Sequence, residues 1–170
     1  MGWWDRLVRR PAGGQDKQGG DAGRDACGGG AGLVRQKVRI AVDTSVLVRA
    51  VVRDHPAQGR AATQILAEAD LIAVALPCLC EFVWVMRRVY GFSAPEVANA
   101  LRALLAVTNV ELNRPAVEAG LSLLDAGGDF ADGVIAYEGR WLGGETFVSF
   151  DRAAVSVLVA QGQLARLLEE

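Results

Sequence analysis

The feature that most constrains the fold is an alternation of short apolar runs with longer segments of helical periodicity. The clearest runs are VRIAV (residues 38–42), LIAVAL (71–76) and ETFVSF (145–150). Each is followed by a segment in which apolar side chains recur three and four residues apart. TNVEL (108–112) is a weaker strand, and GQLARLLEE (162–170) either adds an edge strand or frays. Strands separated by helices predict an α/β fold around a mostly parallel sheet, in which a run such as VRIAV is a buried strand.

The chain divides into a glycine-rich extension and one folded domain. Ten of the 20 glycines lie before Leu33, nine of them within PAGGQDKQGGDAGRDACGGGAG, and this composition predicts a flexible segment over residues 1–37. Residues 38–170 are long enough for one domain with a substantial core, but not for two ordinary domains.

Helix signals divide the domain further. Pro56 interrupts the helical pattern that follows the first strand, and Ser93 with Glu96 forms a capping-box pair ahead of another helix. Further helices are predicted over residues 115–125 and within GGDFADGVIAYEGRW. The helix between Pro77 and Gly91 carries the apolar stripe Leu79, Phe82, Val83, Met86 and Val89, with Glu81 beside it.

Composition places the protein among soluble globular chains. No apolar run approaches the roughly 20 residues of a membrane span, and the N-terminal residues lack the apolar core of a secretory signal. The three cysteines form no CxxC motif, which favours a reducing, cytoplasmic location over a disulfide framework. Residues 1–37 carry a net charge of +3, and the remainder carries −5. Because phosphate-binding surfaces are usually basic, nucleic acid is an unexpected partner unless cations neutralise some of the acids.

Four acids are placed where a parallel sheet binds its ligands. Asp43 and Asp151 follow apolar strands, Asp132 lies in the first turn of a helix, and Glu81 lies early in the helix after the second strand. The carboxyl ends of parallel strands meet at one edge of a sheet, near the point where strand order reverses. The sequence therefore predicts that these four side chains meet in one cleft.

Clustered carboxylates need either protons or a cation. Like charges raise one another's pKa, and oxygen-only ligands select hard ions such as Mg²⁺ or Mn²⁺. Two such ions can clamp the attacking and leaving oxygens of a phosphodiester. Taken singly, each acid also has a structural reading. Asp43, Asp129 and Asp151 fit helix caps, Asp132 fits a first-turn acid favoured by the helix dipole, and Glu81 fits a solvated helix residue.

The segments VDTSVLV, LPCLCEFVWVMRR, DFADGVIA and FVSFD together resemble the four signature segments of PIN-domain proteins, most of all VapC-type toxins of bacterial toxin–antitoxin pairs. The resemblance runs from about residue 38 to the C-terminus. It implies a three-layer α/β/α sandwich with a central, mostly parallel sheet of four to five strands.

The resemblance also implies roles for individual residues. Asp43, Glu81, Asp132 and Asp151 match the family's acidic, metal-binding and catalytic positions, with Asp43 and Asp132 as the firmest Mg²⁺ ligands. Thr44 or Ser45, and Ser149, match hydroxyl positions near the metal or the phosphate. One departure is Gly133, where relatives commonly have Ala. Glycine weakens a helix by up to ~1 kcal/mol, which predicts that Asp132 is held less firmly.

The activity implied by the resemblance is Mg²⁺-dependent endoribonuclease chemistry, with a small antitoxin protein as inhibitor and a homodimer as the usual assembly. Hydrolysis by a metal-activated water would leave a 5′-phosphate and a 3′-hydroxyl. Guanidinium groups suit phosphate, although each arginine also fits an ordinary surface position. The candidates for the RNA backbone are Arg49, Arg53, Arg87, Arg88, Arg140 and Arg152.

Other reaction classes fit the sequence less well. A phosphoacceptor receiver domain needs a late lysine, and no lysine follows Lys37. The phosphatase pattern DxDxT fails after Asp43, and the P-loop motif is missing. A Ser–His–Asp triad would depend on His55, the only histidine. A PIN fold kept as an interaction module without turnover remains the main alternative.

Overall fold

The structure, a computed structural model, describes residues 38–169, so the predicted glycine-rich extension lies outside the described residues. Within this range, strands and helices alternate as predicted for an α/β fold. The strands are β1 (Arg39–Ala41), β2 (Leu71–Ala73), β3 (Val110–Glu111), β4 (Phe147–Ser149) and β5 (Ala165–Leu167). The helices are α1 (Thr44–Val52), α2 (Pro56–Glu68), α3 (Leu76–Arg88), α4 (Ala94–Leu105), α5 (Arg114–Asp125), α6 (Phe130–Trp141) and α7 (Arg152–Ala160).

Backbone hydrogen bonds join the strands in two parallel groups. The first has the order β1-β2-β3 and the second consists of β4 and β5. Parallel pairing is confirmed, and the architecture is consistent with a PIN-like α/β/α sandwich. In the described range, however, the expected single sheet is divided into groups of three and two strands. The C-terminal run pairs as edge strand β5, so the alternative that it frays is wrong.

The faces of the first strand group are covered unequally. Side chains alternate between the two faces of a strand, and Ile40 and Ile72 lie on the face that packs into the main core. Arg39 and Ala41, on the opposite face of β1, are exposed. Within residues 38–169, the predicted buried strand VRIAV is therefore only half-buried, with Ile40 packed against the core and Arg39 and Ala41 exposed.

Five of the seven described helices begin at a residue whose side chain caps a free backbone amide. Asp43 caps α1, and the predicted capping box of Ser93 and Glu96 is confirmed at the start of α4. Asp129 caps α6, as predicted, and Asp151 caps α7. The structural reading of Asp43 and Asp151 is thus correct. Since a capping carboxylate uses only some of its lone pairs, the same side chains remain able to bind a ligand.

The core confirms most of the apolar stripe predicted on α3. Leu79, Phe82, Val83 and Met86 are buried against the other helices. Val89 is 62% exposed because α3 ends at Arg88, so its predicted place in the stripe is wrong. Among residues 38–169, no helix combines the length and the hydrophobicity that a membrane span requires.

Two glycines allow α5 and α6 to approach each other closely. A Cβ atom built on Gly133 would lie 2.6 Å from the Ala119 carbonyl oxygen and 2.8 Å from the Gly120 Cα. A Cβ atom on Gly120 would lie 2.6 Å from the ring of Phe130, which is fully buried. Gly133 therefore lets the first turn of α6 rest directly on α5. This contact gives a packing reason for the glycine, and the weaker hold on Asp132 stays a prediction.

Candidate active site

Asp43 lies just after β1 and is held by the residues that follow it. Its Oδ2 atom accepts hydrogen bonds from the Ser45 hydroxyl at 2.7 Å and from the Ser45 amide at 3.2 Å. The hydroxyl bond, followed by the amides of Ser45 and Thr44, holds the pKa of Asp43 below its ordinary value. The carboxyl is exposed, so Asp43 presents a fixed negative charge to solvent at the end of β1.

Glu81 is tied to the same segment through Thr44. The Thr44 hydroxyl donates a hydrogen bond to Glu81 Oε2 at 2.7 Å and lies 3.3 Å from the Cys78 carbonyl oxygen. Thr44 is 5% exposed and is the one buried polar side chain in the described range. Glu81 itself is exposed. A buried hydroxyl thus joins the start of α1 to the first turns of α3, and Asp43 and Glu81 become neighbours.

A second acidic group forms where α6 and α7 begin. Asp132 is partly buried in the first turn of α6. Burial, followed by the charges of Asp129 and Asp151, raises the pKa of Asp132. Asp129 Oδ1 accepts from the Ala131 amide at 2.8 Å, and Asp151 Oδ1 accepts from the Ala153 amide at 2.7 Å. Both flanking carboxylates are therefore oriented by the helices that they cap.

Two cysteines of α3 lie within electrostatic reach of acids from the two groups. Burial is the main cause that raises the pKa of the Cys78 and Cys80 thiols. Asp43 and Glu81 add to this effect at Cys78, and Asp129 adds to it at Cys80. Because the two cysteines are only two residues apart, the acids that influence them belong to one region of the surface.

The four predicted acids come together only in part. Within residues 38–169, no three His, Cys, Asp or Glu side chains lie close enough to hold one metal ion. The four predicted acids are therefore present as two neighbouring groups, Asp43 with Glu81 and Asp132 with Asp151, and do not form a closed ligand set. Asp129, predicted as a cap, also belongs to the second group. Its position three residues before Asp132 is the sequence signal for this proximity.

The chemistry of these groups fits a hard divalent cation. All four predicted ligands are carboxylates, which favour Mg²⁺ and Mn²⁺ over softer metals. The raised pKa of Asp132 reflects burial together with the negative charges of its neighbours. A bound cation would offset that repulsion and favour the ionised carboxylate.

The three predicted hydroxyls each hydrogen-bond with an acid. Thr44 donates to Glu81 and Ser45 donates to Asp43, whereas Ser149 Oγ accepts from the backbone amide of Asp151 at 3.0 Å. The hydroxyls therefore hold the acidic residues in place. Their predicted role close to a metal or a phosphate stays a prediction.

The candidate RNA-binding arginines differ in how they are engaged. Arg49 contacts Asp54 at 2.7 Å, Tyr90 at 3.1 Å and Gln58 at 2.8 Å, so its guanidinium lies in an internal polar network. Arg53 ends α1 with a left-handed backbone, φ 57°. The other four candidates are exposed and form no hydrogen bond or ion pair through their side chains within the described range: Arg87, Arg88, Arg140 and Arg152.

The comparison with protein families agrees with this geometry. Residues 40–157 match the family described as PIN domain, and the match includes all four predicted acids. No curated protein and no solved structure matches the chain. PIN domains are generally nucleases that use divalent metal ions. Since the match covers more than half of the sequence, the chain belongs to the PIN-domain family.

Proposed function

We propose that the protein is a Mg²⁺-dependent endoribonuclease and the toxin of a type II toxin–antitoxin pair. Membership of the PIN-domain family supports the nuclease class. Metal dependence is supported by the negative charge around Asp132. Burial and the charges of Asp129 and Asp151 raise the pKa of this carboxyl. Such crowding is stable when a cation is bound between the carboxylates.

Asp43, Glu81, Asp132 and Asp151 would hold Mg²⁺, with Mn²⁺ as a substitute. When bound, the ion supplies an acidified water and neutralises charge on the phosphodiester. The Ser45 hydroxyl keeps Asp43 ionised and oriented, and the Thr44 hydroxyl fixes the orientation of Glu81. The products would carry a 5′-phosphate and a 3′-hydroxyl.

Substrate binding would use the exposed arginines. Arg87 and Arg88 lie at the end of α3, Arg140 lies near the end of α6, and Arg152 is the first residue of α7. Guanidinium groups that are not engaged elsewhere can form paired hydrogen bonds with RNA phosphates. Arg49 and Arg53 are weaker candidates, because Arg49 is held by Asp54 and Arg53 ends a helix.

The toxin role, a small antitoxin partner, a homodimer and a cytoplasmic location rest on the resemblance of VDTSVLV and DFADGVIA to VapC-type toxins. The clustered acids offer a basic segment of an antitoxin a direct partner. An arginine inserted between the two acidic groups would replace the metal and switch off hydrolysis.

The test is RNA cleavage by the purified chain with and without Mg²⁺. The wild type is expected to cleave with Mg²⁺ and to stop in EDTA. Asp43→Asn and Asp132→Asn should each reduce the rate by about 100-fold or more, because loss of transition-state charge stabilisation has effects of that order. Glu118→Gln, an exposed acid on α5, is the matched control and should keep full activity.

A parallel experiment addresses the toxin role. The chain is expressed alone and together with the small reading frame next to its gene. Growth arrest in the first case, and a small co-purifying protein with normal growth in the second, would support a toxin–antitoxin pair. Metal binding without any cleavage would instead favour the alternative of a PIN fold that serves as an interaction module.

A further inference from the structure

The outer side of α3 carries an exposed tryptophan next to a predicted catalytic acid. Trp84 is 59% exposed, although large aromatic side chains are usually buried in a core or an interface. The buried side of α3 is formed by Cys78, Leu79, Phe82, Val83 and Met86. Trp84 therefore does not contribute to the core, and its exposure needs another explanation.

Helical spacing places Trp84 between Glu81 and Arg88. Residues three and four apart on a helix are surface neighbours, with Cβ atoms about 5–6 Å apart. Glu81 and Arg88 are exposed like Trp84, so the three side chains form one outward-facing row on α3. The order along the row is acid, aromatic ring and cation.

Two members of this row have no internal contact that would occupy them. Within residues 38–169, the Trp84 ring makes no contact with another aromatic ring, and Arg88 forms no hydrogen bond or ion pair. Glu81, in contrast, is fixed by the buried Thr44 hydroxyl. A ligand that follows the row would meet a fixed acid at one end and an unengaged cation at the other.

The neighbours of Trp84 fit RNA as its partner. Trp84 lies one helical turn from Glu81, an acid of the candidate active site, and one helical turn from the exposed cation Arg88. An aromatic ring beside an arginine is the usual arrangement for single-stranded nucleic acid, in which a base stacks on the ring and a phosphate contacts the cation.

We propose that Trp84 is a stacking platform for an unpaired base of the RNA substrate, next to the phosphodiester that is cleaved, and that Arg88 binds a neighbouring phosphate. This inference rests on the proposed ribonuclease function. It narrows the substrate class to RNA with a single-stranded target site, since bases inside a duplex cannot stack on a side chain. It also assigns a role to a residue outside the four signature acids.

The experiment measures the affinity of the full-length protein for a fluorescein-labelled, mixed-sequence single-stranded oligoribonucleotide and for the matching duplex. EDTA prevents cleavage during the measurement. Trp84→Ala should weaken single-strand binding by about 5- to 100-fold, the range expected when one base loses an aromatic partner. Trp84→Phe should restore most of the affinity, and duplex binding should not change.

The matched control is Val159→Ala. Val159 is also an exposed apolar residue, 53% exposed, but it lies in the last turn of α7, away from the candidate RNA-binding arginines. This variant should bind the single strand as the wild type does. Equal affinity of Trp84→Ala and the wild type would overturn the inference, as would a change of oligomeric state in Trp84→Ala with unchanged RNA binding, which would identify a protein contact.

Cleavage in Mg²⁺ separates this inference from the proposed function. Trp84-dependent binding without cleavage would refute the ribonuclease proposal and leave the stacking site standing. If Trp84→Ala changes neither the KM nor the kcat of RNA cleavage, the stacking site is refuted and the ribonuclease proposal stands. A wild-type protein that binds neither the single strand nor the duplex would overturn both the stacking site and the ribonuclease proposal.

Discussion

The Thr44 hydroxyl donates a 2.7 Å hydrogen bond to the Glu81 carboxylate, across 37 positions of sequence. This contact joins the start of α1 to α3 and fixes one acid of the candidate site relative to its neighbour Asp43. A single buried hydroxyl therefore links the stability of the fold to the geometry of the site.

Replacing Thr44 with the isosteric Val should separate these two effects. Loss of the hydroxyl should lower the free energy of unfolding by about 1 kcal/mol, the usual net value of a hydrogen bond. RNA cleavage should fall more than tenfold, because Glu81 loses its orientation. Thr44→Ser keeps the hydroxyl and should retain most of the cleavage rate. Urea denaturation and cleavage rates measure the two quantities, and similar activity in the Val and Ser variants would contradict the assigned role.

The packing at Gly133 predicts an effect opposite to helix propensity. Gly133→Ala would place a Cβ atom 2.6 Å from the Ala119 carbonyl oxygen, and such overpacking costs about 1–3 kcal/mol. Gly139→Ala is the matched control in the same helix, since nothing lies within 4 Å of the point that its Cβ atom would occupy. That variant should gain up to ~1 kcal/mol from helix propensity. Thermal unfolding of the two variants should therefore move in opposite directions.

The raised pKa of Asp132 gives a pH dependence with a definite sign. A carboxyl whose folded-state pKa lies above its ordinary value of 3.8 favours folding while it is protonated, and this advantage is lost as pH rises through the folded-state pKa. In the absence of metal, Asp132→Asn should consequently raise the melting temperature at pH 7 relative to the wild type. The difference should shrink below pH 3.8.

Saturating Mg²⁺ should also reduce this difference at pH 7, because a cation bound to the ionised wild-type carboxylate stabilises the folded state. Differential scanning fluorimetry at both pH values provides the measurement. A variant that is less stable than the wild type at pH 7 without metal would show that Asp132 is not under electrostatic strain.

Arg49 is held by other side chains and Arg88 is not, so we expect Arg49 to support stability and Arg88 to support RNA binding. Arg49→Gln breaks contacts with Asp54 and Tyr90 and should lower the free energy of unfolding slightly, with little effect on RNA affinity. Arg88→Gln should leave stability unchanged, weaken RNA binding and reduce its salt dependence by about one phosphate contact. Binding isotherms at two salt concentrations test the contrast, and equal RNA-binding losses in both variants would refute it.

Local chemistry in the sequence predicted several helix starts. Asp129 as a cap and Ser93 with Glu96 as a capping box depend on residues two or three positions apart, and both are confirmed. The α/β alternation likewise follows from periodicity within short windows. The boundaries were less predictable, and Val89 is exposed because α3 ends one residue earlier than its apolar pattern suggests.

Long-range contacts could not be read from the sequence. The hydrogen bond between Thr44 and Glu81 depends on how α3 packs against α1, and no pattern in VDTSVLV specifies it. Gly133 is explained by the close approach of α5 to α6. Helix propensity carries no information about a neighbouring helix. For the same reason, the sequence placed four acids in one cleft, whereas their side chains form two neighbouring groups whose spacing depends on tertiary packing.

The central claim is that these two groups bind a divalent cation together. Mn²⁺ titration followed by electron paramagnetic resonance tests it most directly, with wild type, Asp43→Asn, Asp132→Asn and the control Glu118→Gln at equal concentration. We expect Mn²⁺ binding by the wild type and the control, with affinity at least tenfold weaker in both Asn variants. Equal Mn²⁺ affinity in all four proteins would contradict the claim.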